Sequence, residues 1–201
     1  MINRMFFFVM FFMTSLTTAF AQEIAKVPPP FGLIWGMSQA DVKRMGVLLE
    51  CKQHEPFTVC TTSSLPKNLS NVEFYQLIFS ADNKLVKTRY VSNDFTNDAF
   101  GTEGKAEYQR VKKALSKKYG SPKNSEYVGL RLYKDSDEFY HCLAYDGCGD
   151  WFSLWKFSDE SGIVLNLSGL KRGTGYMSIS YETSNFGAAI DNHKEQDESA
   201  L

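Results

Sequence analysis

"GIVLNLSGLKRGTGYMSISYE", residues 162–182, decides the fold. Ile163, Leu165 and Leu167 alternate with Val164, Asn166 and Ser168, while Met177, Ile179 and Tyr181 alternate with Ser178 and Ser180. A period of two with one mostly polar face marks antiparallel strands whose sheet is wet on one side. Gly173 and Gly175, beside Lys171 and Arg172, could cradle an anion. A phosphate loop, however, leads from a strand into a helix. This stretch leads into another strand and reads as a glycine-rich hairpin turn.

Outward from that hairpin, "EYVGLRLYK" (126–134), "EFYHCLAY" (138–145) and "DWFSLWKFS" (150–158) also read as strands. Before them lies the longest helical pattern, "TEGKAEYQRVKKALSKKYGSP". Tyr108, Val111, Leu115 and Tyr119 form one apolar stripe, Gly120 supplies the stop and Pro122 forbids continuation. The cations Lys112, Lys113, Lys117 and Lys118 read as a solvated face near the helix C-terminus. "VEFYQLIFSADNKLVKTRYV" reads as two strands around a turn, and "LLECKQHEPFTVCTT" as a further β region. Near residue 38, Ser38 and Asp41 make the S-x-x-D capping box, with Met37 and Val42 at the hydrophobic-staple positions and Gly46 ending a two-turn helix. A short strand is expected over residues 31–35, after the extended proline run.

The order β-α-β-β-β-α-β-β-β-β-β has too few helices to cover both faces of a large sheet. It predicts an α+β two-layer sandwich, largely antiparallel, with two helices packed on one face. Residues 22–188 are expected to form a single domain, with two loosely similar halves at 22–100 and 101–188. Residues 189–201, acidic and poor in apolar side chains, are expected to be a disordered tail.

The first 21 residues read as a secretory signal peptide: Arg4, a compact Phe-rich apolar run, and Ala19-Phe20-Ala21 as a cleavage site. The polar "TSLTT" makes the run too short for a membrane span, so no span remains after cleavage. The protein is expected to be periplasmic or secreted. Of its 22 Lys+Arg, Arg4 leaves with the leader, and 23 Asp+Glu remain. This slightly acidic balance argues against a nucleic-acid partner.

Four cysteines, Cys51, Cys60, Cys142 and Cys148, are an even set in an exported chain and read as disulfides. Nearest-neighbour pairing, Cys51–Cys60 and Cys142–Cys148, is expected, with crossed pairing as the alternative. No C-x-x-C is present for redox work, and the spacings do not suit zinc. No G-x-S-x-G, H-E-x-x-H or phosphate-loop motif occurs. His54 and His141 lack a partnered nucleophile, and His193 lies in the tail. Asp135, Asp137, Glu138, Asp146 and Asp150 cluster in sequence, but they follow no calcium-loop pattern and read as turn residues. No catalytic residue, metal site or cofactor is expected.

"FGLIWGMSQADV", "ALSKKYGSP" and "CGDWFSLWKF…GIVLNLSGLKRGTGYMSISYE" together resemble small exported proteins of Gram-negative bacteria, mostly of unassigned function. In size, export and disulfide use, the layout is also similar to periplasmic immunity proteins, which neutralise toxins delivered by rival cells. That resemblance implies a non-catalytic binding protein, an immunity or inhibitor protein that blocks a protein partner. A small-ligand-binding or envelope-maintenance domain and a carboxylate-using cell-wall hydrolase are the alternatives. The candidate partner-binding residues are Tyr145, Asp146, Asp150 and Trp151, around the Cys142–Cys148 loop, because Trp and Tyr are favoured interface anchors. Amino-terminal sequencing of the exported protein is expected to begin at Gln22; retention of Met1 would refute the leader.

Overall fold

The computed structural model describes residues 26–130 and 132–199; the expected signal peptide, residues 1–21, lies outside them. The chain runs α1 (Gln39–Arg44), β1 (Glu50–His54), β2 (Phe57–Thr62), β3 (Val72–Phe79), β4 (Leu85–Ser92), α2 (Thr102–Tyr119), β5 (Lys123–Tyr127), α3 (Phe139–Ala144), β6 (Asp150–Lys156), β7 (Gly162–Lys171), β8 (Thr174–Glu182) and α4 (Ser184–Ser199). A single 3₁₀ turn, Ser136–Glu138, leads into α3.

The strands form one sheet in the order β1-β2-β3-β4-β8-β7-β6-β5, antiparallel throughout. A helix followed by a four-stranded meander occurs twice, and the two meanders meet through their last strands, with Tyr90 opposite Ile179. The α+β sandwich expected from the alternation at 162–182 is therefore the architecture. Ile163, Leu165 and Leu167 face inward with Met177, Ile179 and Tyr181, all nearly or wholly buried. They pack against Val42 of α1, Tyr108, Val111 and Leu115 of α2, and Phe139 and Tyr140 of α3.

The helix count differs from expectation. Three helices share the core face, and the fourth, α4, lies on the opposite face. There Phe186, Ala189 and Ile190 cover a second cluster of Phe57, Ile78 and Val86. The stretch from residue 189, expected to be disordered, is helical as far as Ser199. Phe186 stacks on Phe57 at 4.9 Å, and Lys87 beneath it pairs with Glu182 at 2.6 Å. This apolar seam holds a helix whose remaining faces are polar.

Two expected strands take other forms. Residues 31–35 make turns, because Phe31, Gly32 and Gly36 all adopt positive φ. The segment is still held to the sheet, since Gly36 N–H donates to the Leu85 carbonyl at 3.0 Å and Leu85 N–H to the Met37 carbonyl at 2.9 Å. Residues 138–145 are mostly helix α3. Asp135 and Glu138 form a capping box at its approach, and the buried Phe139, Tyr140 and Cys142 share one helical face instead of alternating. The Ser38–Asp41 capping box on α1 is present in both directions, at 3.2 and 2.8 Å.

Helix α2 starts in an unusual way. Its N-cap, Gly101, is left-handed and offers no side chain. Asp98 performs the capping from three residues upstream, accepting the N–H groups of Thr102, Glu103 and Gly104 at 2.6, 3.0 and 3.0 Å. It also accepts the Tyr140 hydroxyl of α3 at 3.0 Å. At the other end Trp155 Nε1 donates to the Gly120 carbonyl at 2.8 Å, which satisfies one of the last carbonyls of the helix. Replacing Asp98 by Ala strands three amides and a hydroxyl in a site where the carboxylate is only 7 % exposed. Asp98→Ala is expected to lower unfolding free energy by about 2–4 kcal/mol, and Tyr140→Phe by about 1 kcal/mol. Denaturant titration checks both, and equal losses would contradict the central role assigned to the carboxylate.

Candidate functional site

The stapled loop occupies the β5 end of the sheet. Cys142 on α3 and Cys148 are joined, as are Cys51 and Cys60 across the β1–β2 pair, so the neighbouring-cysteine pairing is correct. Asp146 and Gly147 make the turn, and Gly147 takes the positive φ of 74° that such a turn requires.

A second segment, residues 128–130 and 132–134, wraps this staple. Gly129 N–H points at Cys142 Sγ at 3.1 Å and Leu130 N–H donates to the Cys148 carbonyl at 3.1 Å. The expected strand over 126–134 stops at Tyr127 and gives way to this wrap. Tyr133, at positive φ, stacks its ring on His141 at 3.9 Å and meets Tyr145 edge-on at 5.7 Å. The disulfide closes the staple on itself, and amide bonds from Gly129 and Leu130 together with the rings of Tyr133, His141 and Tyr145 tie the second segment to it.

Of the four residues singled out from sequence, the structure places Tyr145 and Asp146 in solvent and leaves Asp150 exposed. Asp150 is already engaged, because it accepts the Tyr127 hydroxyl at 2.8 Å. That hydrogen bond, with desolvation and the Asp150 charge, pushes the Tyr127 phenol above its ordinary value. Trp151 stands apart from the other three. It is half-buried on the core side, edge-on to Phe139 at 5.1 Å and Tyr108 at 6.4 Å, with Lys105 Nζ 5.5 Å above its ring. Burial also lowers the Lys105 pKa.

What sequence reasoning missed is the apolar surface that the wrap presents. Leu130 is 61 % exposed, Tyr145 48 %, Leu132 46 % and Val128 37 %. These side chains lie on one short loop and the staple it covers. Large aliphatics this exposed and this close together are uncommon on a soluble surface and mark interaction sites. The available signal was the pair Leu130 and Leu132 in a segment broken by Gly129, which fits a strand poorly.

The neighbouring carboxylates act singly. Asp137 pairs with Arg172, and Glu138 accepts the Asp135 amide at 3.4 Å. None of these contacts brings two carboxyl groups together. Arg172 and Gly173 sit in the β7–β8 hairpin turn, as their sequence implied. Among the described residues no group of three or more His, Cys, Asp or Glu could hold a metal ion, and no helix is long and apolar enough to cross a membrane. No protein-family model, curated protein or solved structure matches the chain.

A short loop closed by a disulfide stabilises mainly by restricting the unfolded chain. Replacing Cys142 and Cys148 together by Ala is expected to cost about 2–3 kcal/mol. It should also release the Leu130 amide to rapid hydrogen exchange, because that amide bonds within the staple. An unchanged exchange rate at Leu130 would show that the wrap holds without the disulfide.

Proposed function

We propose that this is an exported, non-catalytic binding protein that blocks a protein partner, an immunity or inhibitor protein, and that it docks through the stapled loop. The observation that carries the reading is the exposed set Val128, Leu130, Leu132 and Tyr145 mounted on the Cys142–Cys148 staple. A binding loop that is already ordered loses little conformational entropy on docking, so more of its contact energy appears as affinity. Apolar and aromatic side chains at the centre of a patch are the usual energetic anchors.

The rim gives the partner its chemistry. Asp146 and Asp150 border the patch, and Asp135 and Glu138 precede α3. The partner surface is then an apolar depression edged by Lys and Arg, with the charges steering encounter and fixing orientation. Such steering weakens with salt, so association is faster at low ionic strength. Trp151, half-buried against Phe139 and Tyr108, is left out of this contact surface.

The test is capture of a stoichiometric partner by the immobilised protein, repeated with Leu130→Asp/Tyr145→Ala and with Lys52→Ala on the distant edge strand β1. The double variant is expected to weaken binding by about tenfold to a hundredfold, and Lys52→Ala to leave it unchanged. Absence of any partner, or equal binding by the double variant, overturns the proposal.

A further inference from the structure

Beneath α2, on the side away from the stapled loop, two hollows share a wall. The first, about 240 Å³, lies between α2 and the sheet, with Val111, Leu115, Met177 and Ile179 around it. The second, about 430 Å³ and more open, is reached past Lys67 and Lys118. Phe31, Leu69 and Tyr181 line both.

The two hollows differ in chemistry. The inner one is mainly apolar, with Ser70, Glu107 and Arg110 among its lining. Its cationic neighbour, Arg110, is neutralised by a two-pronged pair with Glu107 at 2.7 and 2.6 Å. Tyr90, which also faces it, has its hydroxyl committed to the Ser70 and Asn71 carbonyls at 3.1 and 2.9 Å. In the outer hollow, neither Lys67 nor Lys118 is ion-paired among the described residues. Both side chains are exposed.

The walls are fixed in place. Phe31 takes a left-handed φ of 59° and wedges its ring against Tyr75 at 5.0 Å and Tyr181 at 5.6 Å. Lys67 N–H donates to the Phe31 carbonyl at 3.0 Å, and Leu69 N–H to the Tyr75 hydroxyl at 2.8 Å. Because these wall residues are tied by backbone bonds and ring contacts, the half-open hollow is a standing feature of the fold. Cavities of ~150 Å³ accept a benzene-sized molecule. The inner hollow therefore holds a chain of roughly six to ten carbons.

We infer that the paired hollows bind a single-chain amphiphile, its hydrocarbon seated between α2 and the sheet and its anionic head, carboxylate or phosphate, at Lys67 and Lys118. This site is separate from the stapled loop and does not depend on a protein partner. Such a ligand comes from free fatty acid or from a membrane lysolipid, which share the same chemistry.

The experiment is calorimetric titration of the exported protein with hexanoate, octanoate, decanoate, decyl phosphate, decyltrimethylammonium, inorganic phosphate and lysophosphatidylglycerol, all below their aggregation limits. Affinity is expected to rise roughly fourfold per added methylene from hexanoate to decanoate. The decyl anions should bind at 1:1, and the decyl cation at least about tenfold more weakly. Ala114→Trp, at an exposed helix position bordering the inner hollow, should abolish binding of the chain without altering the melting temperature. Lys67→Glu/Lys118→Glu should remove the preference for anions. Decanoate binding above the lysolipid assigns the free acid, and the reverse assigns the lipid. A flat chain-length series, inorganic phosphate matching decyl phosphate, or full binding by Ala114→Trp overturns the inference.

Discussion

The buried contact between Asp98 and Tyr140 organises the second half of the molecule. One carboxylate satisfies the first turn of α2 and, through a single hydroxyl, fixes α3 beside it. Burial makes this arrangement demanding, because a charge withdrawn from water must have its hydrogen bonds met in place. Burial and the adjacent carboxylate also push the Tyr140 phenol far above its ordinary value, so it remains a donor. The space for Tyr140 exists because its neighbours have no side chains. A Cβ at Gly104 would stand 1.9 Å from its hydroxyl oxygen, and one at Gly175 would stand 2.2 Å from its ring. A glycine on α2 and a glycine on β8 are thus shaped around one tyrosine of α3.

The candidate docking surface follows from that contact. Tyr140 sets the position of α3, α3 carries Cys142, and Cys142 ties the loop that Leu130 and Leu132 cover. The patch is consequently mounted on the core even though it lies at the edge strand β5. The amphiphile site has a different origin. Helix α2 is tied at its start by Asp98 and at its end by Trp155, and the unfilled space lies against its middle, by Val111 and Ala114.

Much of the architecture was legible because local chemistry and tertiary structure agreed. Alternation in 162–182, the Ser38–Asp41 box, the Tyr108–Val111–Leu115 stripe and the even cysteine count each report a constraint that acts within a few residues. Residues 138–145 misled because a short apolar run fits a strand or a buried helical turn equally well, and only the core chose between them. Residues 31–35 misled because an apolar stretch between glycines resembles a strand until its backbone signs are known. The C-terminal helix was invisible because three apolar residues, Phe186, Ala189 and Ile190, have meaning only opposite Phe57, Ile78 and Val86, about a hundred residues earlier.

The candidate site divides along the same line. Tyr145, Asp146 and the staple were readable, since turn residues and paired cysteines act locally. Trp151 proved half-buried because side-chain direction depends on which face its strand buries, and Leu130 and Leu132 were overlooked because exposure is a property of the whole fold. By itself the sequence determined the α+β class, the disulfide neighbours and the turn at Gly147, all of which are short-range choices of backbone and covalent chemistry. Only the tertiary structure decided which apolar residues stayed outside, how two meanders joined through β4 and β8, and where α2 left a hollow. Those outcomes depend on contacts between distant segments, and their energies exist only once the chain has closed on itself.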